Sequence, residues 1–476
     1  MTSEIPIAVP ITRKPRPGDH VDLEIEAFDG RGRGVANKDG FHYAVKRGTA
    51  GARVRALILK RRGASIEAVA LETLRVSAFA ATPPCAHFGS CGGCSLQDIT
   101  YDAQLSGLHR LVARSMSGLS SPFTLDSVVP APSTVRYRNK MEFTFSSRRW
   151  IAPDEPLDAP NGFALGQHAV GVHGKVVDVH ACSIQADVAN EILASVRALS
   201  IERALPPWDG KSHTGLMRHF VIRRAGSTGE ILVNLVTSTE APELIEPFAR
   251  ELVARHPAIT TFVQNVNSRA ADTAIGDPGR ERVLHGKGVI AERVLGLEFE
   301  LSAGSFFQTN SAQAERLFEI VREECALTGS EIVYDLYCGT GVIALVLASS
   351  AREVIGFELV ASAVADAREN ARKNGVENVR FVEGDALDGL ATRDLPPPDV
   401  IVVDPPRAGL HKKVLPKLAA LGAKRIVYVS CHHPAAAADA LVLESLGWRV
   451  ARVRPIDMFP HTPHVECVLT LLPPGS

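Results

Sequence analysis

From about residue 304 onward the chain alternates strand-length apolar runs with helical patterns, and that alternation confines it to a doubly wound α/β layer with a largely parallel sheet. The runs fall at 331–336, 353–357, 379–382, 399–403 and 425–429. Helical spacing occupies 311–326, 341–349, 360–374, 412–421 and 434–446. Open sheets of this kind take their ligands outside the carboxyl ends of the strands, so residues that end a strand are the candidates for chemistry.

The first of these strand ends reads Asp335-Leu336-Tyr337-Cys338-Gly339-Thr340-Gly341 and leads into a helix. A glycine turn there sets backbone amides of a helix N-terminus beside a ligand. The spacing is D-x-x-C-G-T-G rather than the G-x-G-x-x-G of dinucleotide sites. Glu358 ends the second strand, where a carboxylate can accept hydrogen bonds from ribose hydroxyls. Asp385 ends the third, in reach of an adenine amino group. Three acidic strand ends with this turn predict a pocket for S-adenosylmethionine; another nucleotide on a Rossmann-like fold is the competing reading. Asp404 ends the fourth strand within Asp404-Pro405-Pro406-Arg407, and Cys431 follows Ser430 at the end of the fifth. Cysteine is often only a small buried hydrophobe, but its place beside the expected pocket makes Cys431 a candidate nucleophile. Glu466 lies in an otherwise apolar final strand.

Residues 1–76 read as a small β domain. Val21 to Glu26 alternates apolar and polar, further strands are expected at 41–46, 53–60 and 65–71, and glycines at 30, 32, 34 and 40 mark turns. The segment is rich in Lys and Arg although the whole chain carries a net charge of −1. A small barrel with a basic face is a platform for nucleic acid, and a solvated surface is the bland alternative. Residues 77–303 read as a central α+β domain, with helices from Gln97 to Met116, at 187–199 and at 240–255, and strands at 135–145, 216–224 and 230–237. No run reaches the eighteen or so apolar residues that span a bilayer, and the first residues lack a signal-peptide pattern. A cytoplasmic protein without membrane contact is expected, with monomer as the default.

In such a compartment the eight cysteines stay reduced, and a tight group of them points to a metal. Cys85, Cys91 and Cys94 form C-x5-C-x2-C, and Cys182 is a distant fourth. Four thiolates suit an iron–sulfur cubane or structural zinc, and spacing does not separate the two. The distance in sequence between this group and Cys431 predicts a structural, RNA-positioning role rather than redox chemistry.

The motifs CAHFGSCGGC, YRNKMEF (137–143), FFQTN (306–310), DLYCGTG, DPPRAGL (404–410), SC (430–431) and HVECV (464–468) stand in the order found in the RNA uracil-5-methyltransferases, which the chain resembles over nearly its whole length. The cysteine-bearing branch methylates 23S ribosomal RNA, and residues 18–74 look like the TRAM domain that opens many members. The resemblance implies a multidomain α/β protein: an OB-like TRAM barrel (1–76), a central domain with a [4Fe-4S] site on Cys85, Cys91, Cys94 and Cys182 (77–303), and a class I, Rossmann-like methyltransferase domain (304–476). It also implies roles. Cys431 is the nucleophile on uracil carbon 6, Glu466 the general base, and Asp404 lies between uracil and methyl donor. Gln308, Tyr337, Gly339, Gly341, Glu358, Asp385 and Asp404 hold S-adenosylmethionine, while Phe306 and Gln308 contact the uridine.

The chain departs from the family where it reads Ser430-Cys431-His432-His433-Pro434 instead of S-C-N-P, Ala438-Asp439 instead of Arg-Asp, and Leu108 where lysine is common. These changes bear on rate and target choice. A protonated His432 or His433 beside Cys431 would lower the thiol pKa; two solvated loop histidines are the blander expectation. Competing functions are a tRNA uridine C5 methyltransferase, an amino-group RNA methyltransferase without a covalent step, and a non-catalytic RNA-binding factor.

Overall fold

The computed structural model describes residues 14–475 except 153, 154, 157, 173, 385–394 and 474. The expected ligand residue Asp385 lies outside the described residues.

In the N-terminal six-stranded sheet the strands run in the order His20–Glu24, Arg53–Arg62, Ser65–Arg75, Phe41–Lys46, Gly34–Lys38, Ala27–Phe28. The stretch 20–28 pairs with both edges: His20–Glu24 with Val54 and its neighbours, then Ala27–Phe28 with Gly34–Val35. The sheet therefore closes on itself, which leaves no open edge there. Alternate residues of the first strand, Val21 and Leu23, join Tyr43, Val45, Val54, Ile58 and Ile66 in its core.

A second sheet has seven strands, in the order Val176–Asp178, Ala164–His168, Lys140–Ser146, Met217–Arg224, Ile231–Thr237, Ile259–Val266, Glu281–His285. Helices Asp187–Glu202 and Pro242–Arg255 bury Ile192, Val196, Phe248 and Leu252 against Phe143, Phe220 and Phe262. The helix Pro242–Arg255 connects the one parallel pair of this sheet, as a crossover must.

The C-terminal sheet has eight strands, ordered Val379–Glu383, Glu353–Glu358, Ile332–Leu336, Val400–Val403, Arg425–Ser430, Glu466–Leu472, Arg449–Ile456, Thr124–Leu125. Its first five strands are parallel and Glu466–Leu472 runs against them. Both faces are covered, and the apolar runs divide by parity. Val400 and Val402 pack into a core with helices Ser311–Cys325 and Val342–Ala348, whereas Ile401 and Val403 pack on the other face with helix His433–Ser445. The strand order reverses at Ile332–Leu336, which puts a ligand crevice at its carboxyl end.

Three expectations are corrected. The helix starts at Tyr101 rather than Gln97. The Ser95 and Leu96 amides bond the His461 carbonyl, and Gln97 accepts from the Cys85 amide, so tertiary bonds hold these residues out of the helix. The strand expected at 135–145 is Lys140–Ser146, because Arg136 and Arg138 donate instead to Ser183 and Ile184. The division at residue 304 does not follow the packing. Helix Tyr101–Met116 packs on His433–Ser445, Thr124–Leu125 forms the edge of the C-terminal sheet, and the hairpin Val289–Val294/Leu297–Ser302 buries Ile290 and Phe299 in its core. Among the described residues no helix is long and apolar enough to cross a membrane.

Candidate active site

The strand Ile332–Leu336 ends in a turn whose backbone is left-handed at Tyr337 (φ 66°), Gly339 (54°) and Gly341 (82°) before helix Val342–Ala348. A Cβ on Gly341 would stand 2.7 Å from the Phe381 ring, so glycine is required there twice over. Gly339 meets nothing within 4 Å and keeps the outer face of the turn open. Glu358, ending the adjacent strand, accepts from the Gly339 amide (3.0 Å) and the Val360 amide (2.9 Å). Its carboxylate is thus fixed across the mouth of the turn. Burial, and then the charge of Asp404, raises the Asp335 carboxyl well above the usual carboxylate range.

The next two strands, Val400–Val403 and Arg425–Ser430, are parallel to Ile332–Leu336 and deliver Asp404 and Cys431 to the same edge. The last strand supplies the third group because it runs the other way. Ser430 pairs with Cys467, so Glu466, at the start of Glu466–Leu472, lies beside the end of Arg425–Ser430. Glu466 is only 4% exposed. Burial, and then repulsion from Asp404, pushes its carboxyl up to about 8, and burial pushes Asp404 up to about 7. The half-exposed Cys431 thiol is also raised, by burial first, then by Glu466 and Asp404, with Arg407 opposing. These four groups form one electrostatic unit. Cys431, Arg407 and His464 line a cavity of about 670 Å³. Arg407 and His464 were not singled out from the sequence, although both sit inside the motifs DPPRAGL and HVECV.

The loop between residues 303 and 310 is pinned from both sides. Asn139 donates from its amide to Thr309 and from its side chain to the Gln308 carbonyl and Ser311 Oγ, while Arg223 donates to the Ser305 carbonyl. Asn310 caps helix Ser311–Cys325 and donates to the Met458 carbonyl. Phe306 projects from this loop 75% exposed. Neither it nor Gln308 lines the cavity that holds Cys431.

Cys85, Cys91, Cys94 and Cys182 are all free thiols and line that cavity together with Cys431. Separation in sequence therefore does not separate the cysteine group from the candidate nucleophile. Donors are aimed at the sulfurs: the Gly93 amide at Cys91 Sγ (3.4 Å), Gln97 at Cys94, and the amides of Ile184 and Gln185 at Cys182. Burial raises the Cys91 and Cys94 thiols to about 11 and about 12. Among the described residues no group of three or more His, Cys, Asp or Glu side chains is gathered closely enough to hold a metal ion.

His433 does not acidify the thiol. His433 turns to helix Tyr101–Met116, where Nδ1 hydrogen-bonds Ser115 Oγ (2.8 Å), and burial lowers its pKa to about 4. His432 lies near His464, and the largest influences on the Cys431 thiol are burial, Glu466, Asp404 and Arg407. Asp439 is structural. One of its carboxylate oxygens accepts from the Leu410 amide and from Tyr428 Oη, both at 2.7 Å, and so fixes the loop that follows Asp404. Leu108 is buried in the core beneath helix His433–Ser445.

Comparison with known proteins gives a consistent result. The family model described as tRNA (uracil-5-)-methyltransferase matches residues 228–473. An uncharacterized RNA methyltransferase of Chlorobaculum tepidum is 40% identical over 430 residues, 88% of each chain. Another, of Caldanaerobacter subterraneus subsp. tengcongensis, is 37% identical over 95% of this chain and 98% of its own. Among solved structures, the Pyrococcus abyssi tRNA (uracil-54, C5)-methyltransferase in complex with S-adenosyl-L-homocysteine superposes with a TM-score of 0.74 at 27% identity, covering 95% of this chain and all of that one.

Proposed function

The chain belongs to the tRNA (uracil-5-)-methyltransferase family and is an RNA methyltransferase, and from this premise we propose that it methylates carbon 5 of a uridine through a covalent bond from Cys431. The observation that carries the reading is the convergence of Cys431, Asp404 and Glu466 at one sheet edge, with the Cys431 thiol open to a cavity.

Carbon 5 of uracil is a weak nucleophile. Cys431 loses its proton to water in the cavity, and addition of the thiolate to carbon 6 breaks the ring double bond and moves its electron pair toward carbon 5 as an enolate. S-adenosylmethionine would supply the methyl group that carbon 5 then takes, its methyl–sulfur bond breaking to leave S-adenosylhomocysteine. The chain's residues fit this donor: Glu358 and the open Gly339 turn form a ribose and amide cradle, and Gln308, Tyr337, Gly341, Asp385 and Asp404 complete the proposed set. Glu466 removes the remaining proton from carbon 5. The carbon–sulfur bond then breaks, the double bond re-forms and Cys431 leaves as thiolate. With its carboxyl brought to about 8, Glu466 acts as base through its ionised fraction, which is small at neutral pH and grows as pH rises toward 8. The target must leave its stack to reach the cavity, at a cost of a few kcal/mol. Phe306, exposed at the loop tip, is the proposed stacking surface for it.

Four free thiols lining one cavity, three of them with donors directed at the sulfur, suit thiolates on a cluster. We assign Cys85, Cys91, Cys94 and Cys182 to a [4Fe-4S] centre; zinc would draw four sulfurs to about 2.3 Å from one point. Residues 1–76 are the proposed TRAM platform for RNA. The proposed substrate is 23S ribosomal RNA, and the enzyme is proposed to act as a monomer in the cytoplasm. Transfer RNA is the second reading, favoured by the structural neighbour that acts on tRNA.

Incubation with a 5-fluorouridine transcript tests the chemistry, because fluorine cannot leave as a proton. A stable protein–RNA adduct with the wild type and none with Cys431→Ala is expected. Methylation by Cys431→Ala would refute the covalent route. Mapping 5-methyluridine in ribosomal and transfer RNA from a deletion strain and its parent identifies the substrate.

A further inference from the structure

A second cavity, of about 370 Å³, opens between the seven-stranded sheet, the hairpin Val289–Val294/Leu297–Ser302 and the start of helix Ser311–Cys325. Arg136, Arg138, Arg224 and Arg293 line it together with Glu292 and Glu315. The two carboxylates offset part of this charge, but their oxygens are occupied by hydrogen bonds from the chain and are not free to bind the arginines across the cavity. Glu292 is 1% exposed and accepts from the Gly226 amide (2.7 Å), the Ser227 amide (2.8 Å), Ser227 Oγ (2.6 Å) and Ser311 Oγ (2.9 Å). Glu315 accepts from the Leu295 amide (3.0 Å).

The arginines are less occupied. Arg136 pairs with the exposed Asp187 at 2.8 Å, and Arg293 reaches Glu298 only at 3.4 Å. Arg138 uses Nε alone, toward the Lys140 carbonyl (3.0 Å). Among the described residues the half-buried Arg224 guanidinium makes no hydrogen bond and no ion pair. A half-buried guanidinium without a partner has lost much of its hydration and has gained nothing in the protein to replace it. Its planar fork suits the two free oxygens of a phosphodiester. Arg138 also lines the cavity of Cys431, so it is a wall common to both spaces.

We infer that this second cavity is a subsite for the RNA backbone, in which Arg224, with Arg138 behind it, binds the phosphodiester of a nucleotide flanking the target. Arg224 is a positioning residue: it holds the strand that carries the uridine and touches no reacting atom. The inference rests on RNA being the substrate.

The test compares wild type, Arg224→Gln and Arg224→Lys in binding a fluorescein-labelled oligouridine of about twelve nucleotides over a range of salt concentrations. Losing one phosphate contact should lower the slope of log K against log salt by about 0.7 for Arg224→Gln, and Arg224→Lys should retain it. On a ribosomal RNA transcript KM should rise roughly tenfold with kcat unchanged. An unchanged melting temperature and unchanged S-adenosylhomocysteine affinity identify a folded variant. Equal salt slopes for wild type and Arg224→Gln would overturn the subsite, as would a loss confined to kcat. The binding measurement needs no turnover, so a wild type that binds RNA but does not methylate it would count against the proposed reaction and leave the role of Arg224 to be decided by the salt slopes.

Discussion

Replacing Glu466 with glutamine should stabilise the fold in a pH-dependent way while it removes the proposed base. In the unfolded chain the carboxyl ionises around 4.5; in the fold it keeps its proton up to about 8. Between those values the native state binds the extra proton, so this group makes stability fall as pH rises. Below about pH 4.5 both states are protonated and the group is neutral in the balance. At 1.36 kcal/mol per pH unit the penalty reaches about 3 kcal/mol at pH 7 and levels off near 5 kcal/mol above pH 8. Glutamine carries no such penalty. The difference in unfolding free energy between Glu466→Gln and wild type should therefore grow in favour of the variant by about 3 kcal/mol from pH 4.5 to 7. Urea unfolding of both proteins side by side, followed by intrinsic fluorescence at fixed ionic strength, cancels the pH dependence of groups that do not interact with Glu466. A difference that stays flat over that range, or grows in favour of wild type, would show that Glu466 is not held protonated by its surroundings, and the electrostatic unit with Asp404 and Cys431 would have to be abandoned.

Gly341→Ala combines left-handed strain of about 1–2 kcal/mol with overpacking of about 1–3 kcal/mol against Phe381, and should lower stability by about 2–5 kcal/mol; a urea midpoint equal to wild type would contradict the geometry of the turn. Phe381→Leu should relieve the packing clash of Gly341→Ala, whose Cβ would meet the ring at Cζ and Cε1, atoms that leucine lacks, more than that of Gly356→Ala, whose Cβ would also meet Cys338 Sγ at 2.9 Å; a double-mutant cycle measures the two couplings. Cys182→Ser should remove most iron and acid-labile sulfide from anaerobically purified protein, and zinc in place of iron in the wild type would reject the cluster. His433→Asn should leave the pH profile of Cys431 alkylation unchanged, because the imidazole is already neutral; a displaced profile would return it to the nucleophile's environment.

The strand ends are legible in the sequence because a parallel sheet covered on both faces writes itself as short apolar runs, and the carboxyl edge follows from the topology rule. Asp404 and Cys431 can therefore be assigned to one edge without knowledge of the packing. Glu466 can be assigned only to a strand, since pairing of Ser430 with Cys467 is a long-range register that no local pattern encodes. The hairpin at 289–302 is legible in principle: Val289 to Val294 and Leu297 to Ser302 flank Leu295-Gly296, whose left-handed backbone makes a tight turn. The meeting of the four cysteines with Cys431 is not legible, because it depends on how the seven-stranded sheet docks on the eight-stranded one. The histidines mislead for a related reason. Proximity to Cys431 in sequence says nothing about which way a side chain at a helix start turns, and Ser115, far upstream, decides it.

The short pairing of Thr124–Leu125 with Arg452 and Val453 means that the catalytic half is finished by residues translated long before it. A fragment begun at residue 304 would bare the ladder of Arg449–Ile456 and uncover the apolar flank of His433–Ser445 on which Tyr101–Met116 packs. Such a fragment would offer a raw seam to its own copies and should clump rather than fold, so the module that performs the chemistry cannot be excised along the line where its sequence pattern begins.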